Sequence, residues 1–384
     1  MEKNNRILIY VDSINRAKFF YKFKKFFEEE GKEVFFITNK LSVKFFIKEA
    51  ILLKNCNKKF LSPNIFEKSL SVLNKYHTLS EAVKIGSCVY EVTEKIDPNE
   101  IWIWNGSTTI EKSLKYYADR NKIKKLCFEI SNIENRVFVD REGISGDSLL
   151  YKYPEILDKF EINLEKFYKW REKYLKSKNS VPKKLKSQIP FYAIIDNIGY
   201  LLGLLKEDRR KKLKLIFSRL KNKVIKLSVN KPDYSKKYIL VPLQVSNDSQ
   251  VKIYSKYRNE DLIKKAIAIA KDDEYIYIKP HPMEDNLEEI ETIKSLLNNR
   301  VILVNDNIFN LLKNAQKVVV NNSTVGIEAL ILEKEIIILG NAYYKNFDFK
   351  RTVSFIQNYL SNIKYPNFEI TKENYLSLRK YYEI

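Results

Sequence analysis

The sequence predicts an α/β protein with two parallel, doubly wound sheets around a basic helical middle segment. Apolar strand-like runs alternate with helical runs near the N-terminus, and the same rhythm returns from Lys237. That alternation is the pattern of parallel strands covered by helices. Between the two regions, from about Tyr151 to Pro232, strands give way to a stretch dense in Lys, Tyr, Phe and Leu. The 384 residues suit one large or two medium domains, and a hydrophobic fraction of 45% is ample for their cores. The expected boundaries are an N-terminal sheet domain over 1–150, a connecting segment over 151–236, and a second sheet domain over 237–345. A helical tail over 346–384 is expected to return toward the first domain.

In the first domain RILIYV (Arg6–Val11) reads as a buried strand, and INRAKFFYKFKKFFEEEG as one helix ending on Gly31. EVFFIT (Glu33–Thr38) is the second strand. EIWIWNG (Glu100–Gly106) is a strand leading into a glycine turn, TTIEKSLKYYADRN a helix, and KKLCFEI (Lys124–Ile130) a strand. In the middle, Ile189–Leu227 joins an apolar stretch to a strongly basic one. Asp196 and Asn197 interrupt the apolar part, which is too short and too polar to span a bilayer. Two readings stand for it: a helical linker packed on a domain, or an amphipathic surface resting on anionic lipid. From Lys237 the runs YILVPLQV, EYIYIKP, RVILVND, KVVVNN and EIIILG are strands, separated by four helical runs.

Net charge is +21. Such a field suits nucleic acid, anionic lipid or phosphorylated substrates. No RNA- or DNA-binding motif stands out and the aromatics fall mostly at core-periodic positions, so nucleic acid is not expected as a partner. Cys56, Cys88 and Cys127 lack metal-ligand spacing, and the only histidines are His77 and His281. No metal site is therefore expected, and the cysteines read as small buried groups in a reducing compartment. Mean hydropathy is -0.37, no long apolar run occurs, and the N-terminus enters a strand without a leader pattern. A cytoplasmic protein is expected. Neither a P-loop nor a dinucleotide fingerprint is present.

Four clusters carry polar chemistry at expected strand ends, where ligands of open α/β sheets sit. LQVSNDSQ (Leu243–Gln250) places Gln244, Ser246 and Asp248 after a strand, as a turn or as an acid held by amide and hydroxyl neighbours. Lys279-Pro280-His281-Pro282 fixes a histidine between two prolines. It is a packed loop residue or, as an imidazolium, a group for a phosphate or a leaving group. In VVVNNSTVGIEALI (Val318–Ile331) a strand ends at Asn322 and a helix starts at Ser323 and Thr324, with Gly326 in its first turn. Such a start either binds phosphate or simply caps the helix, and the glycine admits a ligand or a strand close to the backbone. Glu129, in CFEISNIENRVFVDREGISGDS, closes the fourth strand run.

Taken in this order, LQVSNDSQV, IKPHPM, NNSTVGIEAL and LGNAYY resemble the capsule polysaccharide biosynthesis proteins of Gram-negative bacteria, in their KpsS-like, single-module form. The resemblance implies a GT-B type fold, two Rossmann-like domains facing a cleft, with the donor on the C-terminal one. It implies a retaining β-Kdo transferase using CMP-Kdo, with no cofactor, and a phosphatidylglycerol-type anionic lipid as acceptor. It further implies work at the inner-membrane surface beside a partner transferase and the capsule export complex. Gln244, Ser246 and Asp248 match its Q-x-S-x-D pattern, with Asp248 as candidate nucleophile. His281 and Pro282 match its His-Pro pair, associated with the CMP phosphate. Ser323 and Thr324 match its phosphate-binding helix start, with Asn322, Gly326 and Lys279 beside these motifs. Glu129 matches the first acid of a block that often reads E-D-G or E-E-G, and is the candidate base. Here the block reads Glu129-Ile130-Ser131, without the second acid and the glycine. Rival expectations are a transferase for another CMP-sugar or acceptor, and a non-catalytic scaffold of the export complex.

Overall fold

The computed structural model of the protein describes residues 5–67, 78–178, 190–206, 229–284, 286–365 and 369–384. The chain forms two compact units. One is Met1–Ile144 with Lys184–Arg209 and Leu360–Ile384, and the other is Ser145–Lys183 with Arg210–Tyr359.

The first unit is built on a six-stranded sheet of order β3-β2-β1-β4-β5-β6. β1 (Arg6–Tyr10) carries Ile7, Leu8 and Ile9, all fully buried, as a parallel strand covered on both faces must be. The one helix expected after it is two, α1 (Ile14–Tyr21) and α2 (Lys24–Glu29), meeting around Phe23. Phe19, Phe20, Phe23 and Phe27 still share the buried side, with edge contacts to Trp102, Trp104 and Phe128. β2 (Glu33–Thr38), α3 (Leu41–Phe46) and β3 (Ile51–Leu52) complete one edge. The 18-residue α4 (Leu79–Ile96) has no counterpart among the sequence expectations; it starts on a capping box between Thr78 and Glu81. β4 (Glu100–Ile103), α5 (Thr109–Arg120) and β5 (Lys124–Ile130) follow. β6 (Val137–Asp140) pairs antiparallel with β5, so this edge departs from the all-parallel expectation.

Two sequence readings change here. Cys56 and Cys88 are joined in a disulfide with their Cα atoms 5.7 Å apart, whereas only Cys127 is free and buried. The pairing arises because α4 brings Cys88 against the loop after β3, a proximity that 32 residues of separation did not reveal. The middle segment is also shared between units. Its helix α6 (Pro190–Leu201) packs on α3 in the first unit, where the Ser42 N–H donates to Asp196 at 2.9 Å. The helix Leu164–Lys178 belongs to the second unit, with Tyr174 bonded to Glu328. The basic run after Lys206 lies outside the described residues up to Val229. At the C-terminus, the helix Lys372–Ser377 stacks Tyr375 on Phe26 at 5.6 Å and donates from Tyr375 to Glu30 at 2.7 Å.

The second unit has a five-stranded, fully parallel sheet of order β11-β10-β7-β8-β9. In sequence its elements are β7 (Lys237–Pro242), α7 (Ser249–Tyr254), α8 (Asn259–Ile269), β8 (Glu274–Lys279) and α9 (Leu287–Ser295). β9 (Val301–Leu303), α10 (Ile308–Asn314), β10 (Lys317–Val320), α11 (Val325–Ile331) and β11 (Glu335–Ile338) complete it. β7 feeds two cores by alternation: Ile239 and Val241 on one face, Tyr238 and Leu240 on the other. In both units the strand order reverses beside the first strand, between β1 and β4 and between β7 and β10. At such a reversal the connections leave to opposite sides and a crevice opens at the carboxyl ends. Among the described residues no helix is long and apolar enough to cross a membrane.

Candidate functional site

At the second unit's reversal point, Gln244 follows the end of β7 by two residues, and Asn321 and Asn322 follow β10 directly. Gln244 and Asn322 form a closed amide pair. Nε2 of Gln244 donates to Oδ1 of Asn322 at 3.1 Å, and Oε1 of Gln244 accepts the Asn322 N–H at 3.2 Å. Asn322 also donates to the carbonyl of Gln250 at 2.9 Å. The Gln244 backbone is held from α8, whose Asn259 accepts its N–H and donates to its carbonyl. Three side-chain amides thus join two strand ends and two following segments without using a charge.

The next residues of the loop are held by a group the sequence reading missed. Glu284 accepts both the N–H of Ser246 at 2.6 Å and its hydroxyl at 3.0 Å, and its Oε1 also takes the Asn286 N–H. Glu284 lies three residues after His281, in PHPMED, and in sequence looks like an ordinary loop acid. Its partner Ser246 is 38 residues away, so only the fold pairs them.

His281 closes a turn, its carbonyl accepting the Glu284 N–H at 3.1 Å. Its Nδ1 accepts the Met283 N–H at 3.1 Å, so the neutral ring carries its proton on Nε2. Burial pushes its pKa below the usual histidine value; Glu284 and Asp248 pull it up, and Lys279 adds to the fall. The fall in pKa favours the neutral ring, with Nε2–H as donor, over the imidazolium. Lys279 donates to Asn305 and to the Asp306 carbonyl, at 3.1 and 2.8 Å, and burial lowers its pKa as well.

These residues border one cavity of about 560 Å³ at the carboxyl ends of β7 and β8, within the volume range of small-molecule sites. Gln244, Lys279, His281, Pro282 and Glu284 line it, with Asn259 and Asn305 as further amides and Leu243, Ile290 and Ile293 as apolar wall. Ser246 and Asn322 are tied to lining residues. Asp248, Ser323, Thr324 and Gly326 are not among the lining residues.

Asp248 is exposed and caps α7, accepting the Gln250 N–H at 2.8 Å. Ser323 uses its hydroxyl on the Val325 N–H and its carbonyl on the Gly326 N–H and the Tyr344 hydroxyl. Thr324 is exposed and makes no side-chain cap. A Cβ on Gly326 would sit 2.4 Å from the Tyr344 hydroxyl oxygen. What comes close to this backbone is therefore the buried Tyr344 ring of the LGNAYY run, not the ligand or strand expected.

The first unit's reversal point holds charges. Arg16 is bonded to Asp12 and lies 4.8 Å from the centre of the Trp104 ring. Asp12, Glu111, Tyr365 and Glu129 are the titratable groups that act on it. Glu111 is fully buried, and burial pushes its pKa up to about 7 against the pull of Arg16. One of its oxygens accepts the Thr108 N–H at 3.2 Å; the other has no hydrogen-bond partner. Glu129 is half-buried on β5 and accepts the Ile130 N–H at 2.9 Å. Asp12, Arg16 and Glu111 escaped the sequence reading because they look like ordinary first-turn helix residues. Among the described residues no group of three His, Cys, Asp or Glu side chains is placed to hold a metal ion.

Over residues 100–349, well over half of its length, the chain matches the family described as capsule polysaccharide biosynthesis protein. The capsule polysaccharide export protein KpsS of Escherichia coli is 35% identical over 143 residues, 34% of this chain and 36% of that protein. Protein FixF of Sinorhizobium fredii (strain NBRC 101917 / NGR234) is 36% identical over 123 residues, 29% of this chain and 28% of that one. The chain thus spans about a third of the length of the curated relatives it matches. Among solved structures, the Thermosulfurimonas dismutans KpsC, beta Kdo 2,7 transferase, is 16% identical with a TM-score of 0.46, covering 92% of this chain and 91% of that one.

Proposed function

This chain belongs to the capsule polysaccharide biosynthesis protein family, and within it we propose a retaining β-Kdo transferase. It moves Kdo from CMP-Kdo to a phosphatidylglycerol-type lipid at the inner-membrane surface and so starts the Kdo linker of a capsular polysaccharide. The observation that carries the reading is the second unit's cavity, where the Nε2–H of His281 and the ammonium of Lys279 border a polar wall of amides. Donors of this kind suit a sugar nucleotide's phosphate and carboxylate.

CMP-Kdo has the β configuration, so a β product needs net retention, reached by two inversions. The Asp248 carboxylate attacks the anomeric carbon, the bond to the CMP oxygen breaks, and the departing phosphate keeps the electron pair. The lipid hydroxyl then attacks the glycosyl ester, a base takes its proton, and Asp248 is released as a carboxylate. Asp248 enters through its place in the Q-x-S-x-D pattern. Its exposure leaves it reachable, and its charge acts on His281. His281, Lys279 and Pro282 form the donor wall, with Gln244, Ser246 and Asn322 holding the loops. Ser323 and Thr324 match the family pattern's helix start toward the CMP phosphate. A partner transferase and the export complex would take the product onward.

The test combines purified protein, CMP-Kdo and a fluorescent phosphatidylglycerol analogue, with the product read by mass. A lipid heavier by one Kdo supports the proposal, as does a Kdo adduct mapping to Asp248. Product from CMP-sialic acid but none from CMP-Kdo would move the assignment to another CMP-sugar. No transfer from any CMP-sugar would leave the scaffold reading.

A further inference from the structure

The helix α6 exposes an apolar ridge. Phe191, Ile194, Ile198, Leu201 and Leu202 follow helical spacing, and Leu201 and Leu202 are 88% and 71% exposed. The opposite side is pinned. Asp196 accepts the Ser42 N–H, Tyr200 is bonded to Lys40, and Gly199 is buried against Leu41 and Leu204. A Cβ at Gly199 would meet Leu204 at 2.8 Å and Leu41 at 3.0 Å, so the close packing fixes how α6 lies on its unit. The ridge is therefore turned outward by the fold. α3, which packs on α6, adds Phe45 and Phe46, both exposed.

Among the described residues lysines outnumber acids around the ridge. Lys44 and Lys48 belong to α3 and the turn after it, Lys54 forms a bridge with Leu204, and Lys206 lies over the Tyr200 ring. The nearby acids are spent: Asp196 on the Ser42 N–H and Glu49 on Lys24. In sequence, α6 lies between the basic runs Lys183-Lys184-Leu185-Lys186 and Arg209-Arg210-Lys211-Lys212.

We propose that this ridge docks the protein on a bilayer rich in anionic phospholipid, with the apolar side chains among the acyl chains and the lysines at the headgroups. Apolar residues beside lysines are the composition of an interfacial helix, and α6 is too short to cross a membrane. A second copy of this chain is a poorer occupant, because a two-fold pairing would set one lysine collar against an identical one. The inference deepens the reading of a lipid-directed transferase and takes its purpose from it, but docking is measured without donor.

The experiment is vesicle flotation of the full chain with phosphatidylcholine alone and with phosphatidylcholine mixed with phosphatidylglycerol. Wild type should float with the anionic vesicles only. The double variant Ile198→Asp/Leu201→Asp should lose that binding by about tenfold or more, as should Lys44→Glu/Lys48→Glu. Unchanged thermal unfolding would show that the variants fold. Docking is overturned if wild type stays behind with both vesicle types, if the ridge variants float as well as wild type, or if they abolish only a self-association. Wild type that binds vesicles but transfers no sugar would keep docking and remove the transferase reading. Transfer to a short-chain soluble acceptor without vesicle binding would remove docking alone.

Discussion

The two sheets reverse strand order at the same place in their topology and fill the resulting crevice in opposite ways. Between β1 and β4 the first unit sets Arg16, Asp12 and Glu111 against Trp104, with Arg16 bonded to Asp12 and one oxygen of each acid buried without a hydrogen-bond partner. Between β7 and β10 the second unit sets Gln244 against Asn322, an uncharged pair, and leaves a cavity beside it. Removing either partner of a buried ion pair strands a charge, so such a cluster tolerates little substitution. Neutral amides hold the backbone and leave nearby donors available for an incoming anion. The second unit's cavity opens beside its reversal point, over the ends of β7 and β8.

The largest expected effect is at Asp248, where a cap and a nucleophile must be separated. Asp248→Asn keeps a good helix cap but removes the nucleophile, and transfer should fall by about 10³–10⁶-fold. CMP binding should survive, as calorimetry would show. Normal turnover in this variant would leave Asp248 a cap alone. Next is His281→Ala, expected to lower kcat by about 10²–10⁴; an unchanged kcat would take the open crevice out of the chemistry.

Glu284→Gln tests whether the second crevice depends on a charge after all. It replaces a carboxylate that accepts three N–H or O–H groups, and charge-assisted bonds of this kind contribute about 1.5–3 kcal/mol. KM for the donor should rise about tenfold with kcat little changed. A loss confined to kcat would make Glu284 more than a latch.

The smallest effect belongs to the closed crevice and is one of pH. The Glu111 carboxyl, raised from 4.5 to about 7, holds a proton in the folded state that the unfolded chain gives up. Its contribution to stability is full below about pH 4.5 and is lost as pH rises through about 7. Glu111→Gln should therefore be more stable than wild type at pH 8, by about 1–3 kcal/mol, and equal to it near pH 4.5. Urea unfolding at both pH values measures this. Equal stability at pH 8 would show that Arg16 keeps the carboxylate ionised.

Much of the frame was legible. EVFFIT and KKLCFEI became β2 and β5 with the residues expected, because strands buried on both faces read as near-continuous apolar runs. The Gln244, Lys279 and His281 positions were legible as strand ends. α4 escaped, as did the antiparallel turn of β6, because both depend on what lies opposite.

By itself, the sequence determined most of the buried strands, their ends to within a few residues, and that polar groups gather beyond them. Each of these follows from local periodicity and backbone restriction. Only the tertiary structure decided that Glu284 holds Ser246, that Gly326 makes room for Tyr344, that Cys56 meets Cys88, and that α6 turns its leucines outward. Such pairings join residues far apart in the chain, and their partners are selected by packing rather than by anything written beside them.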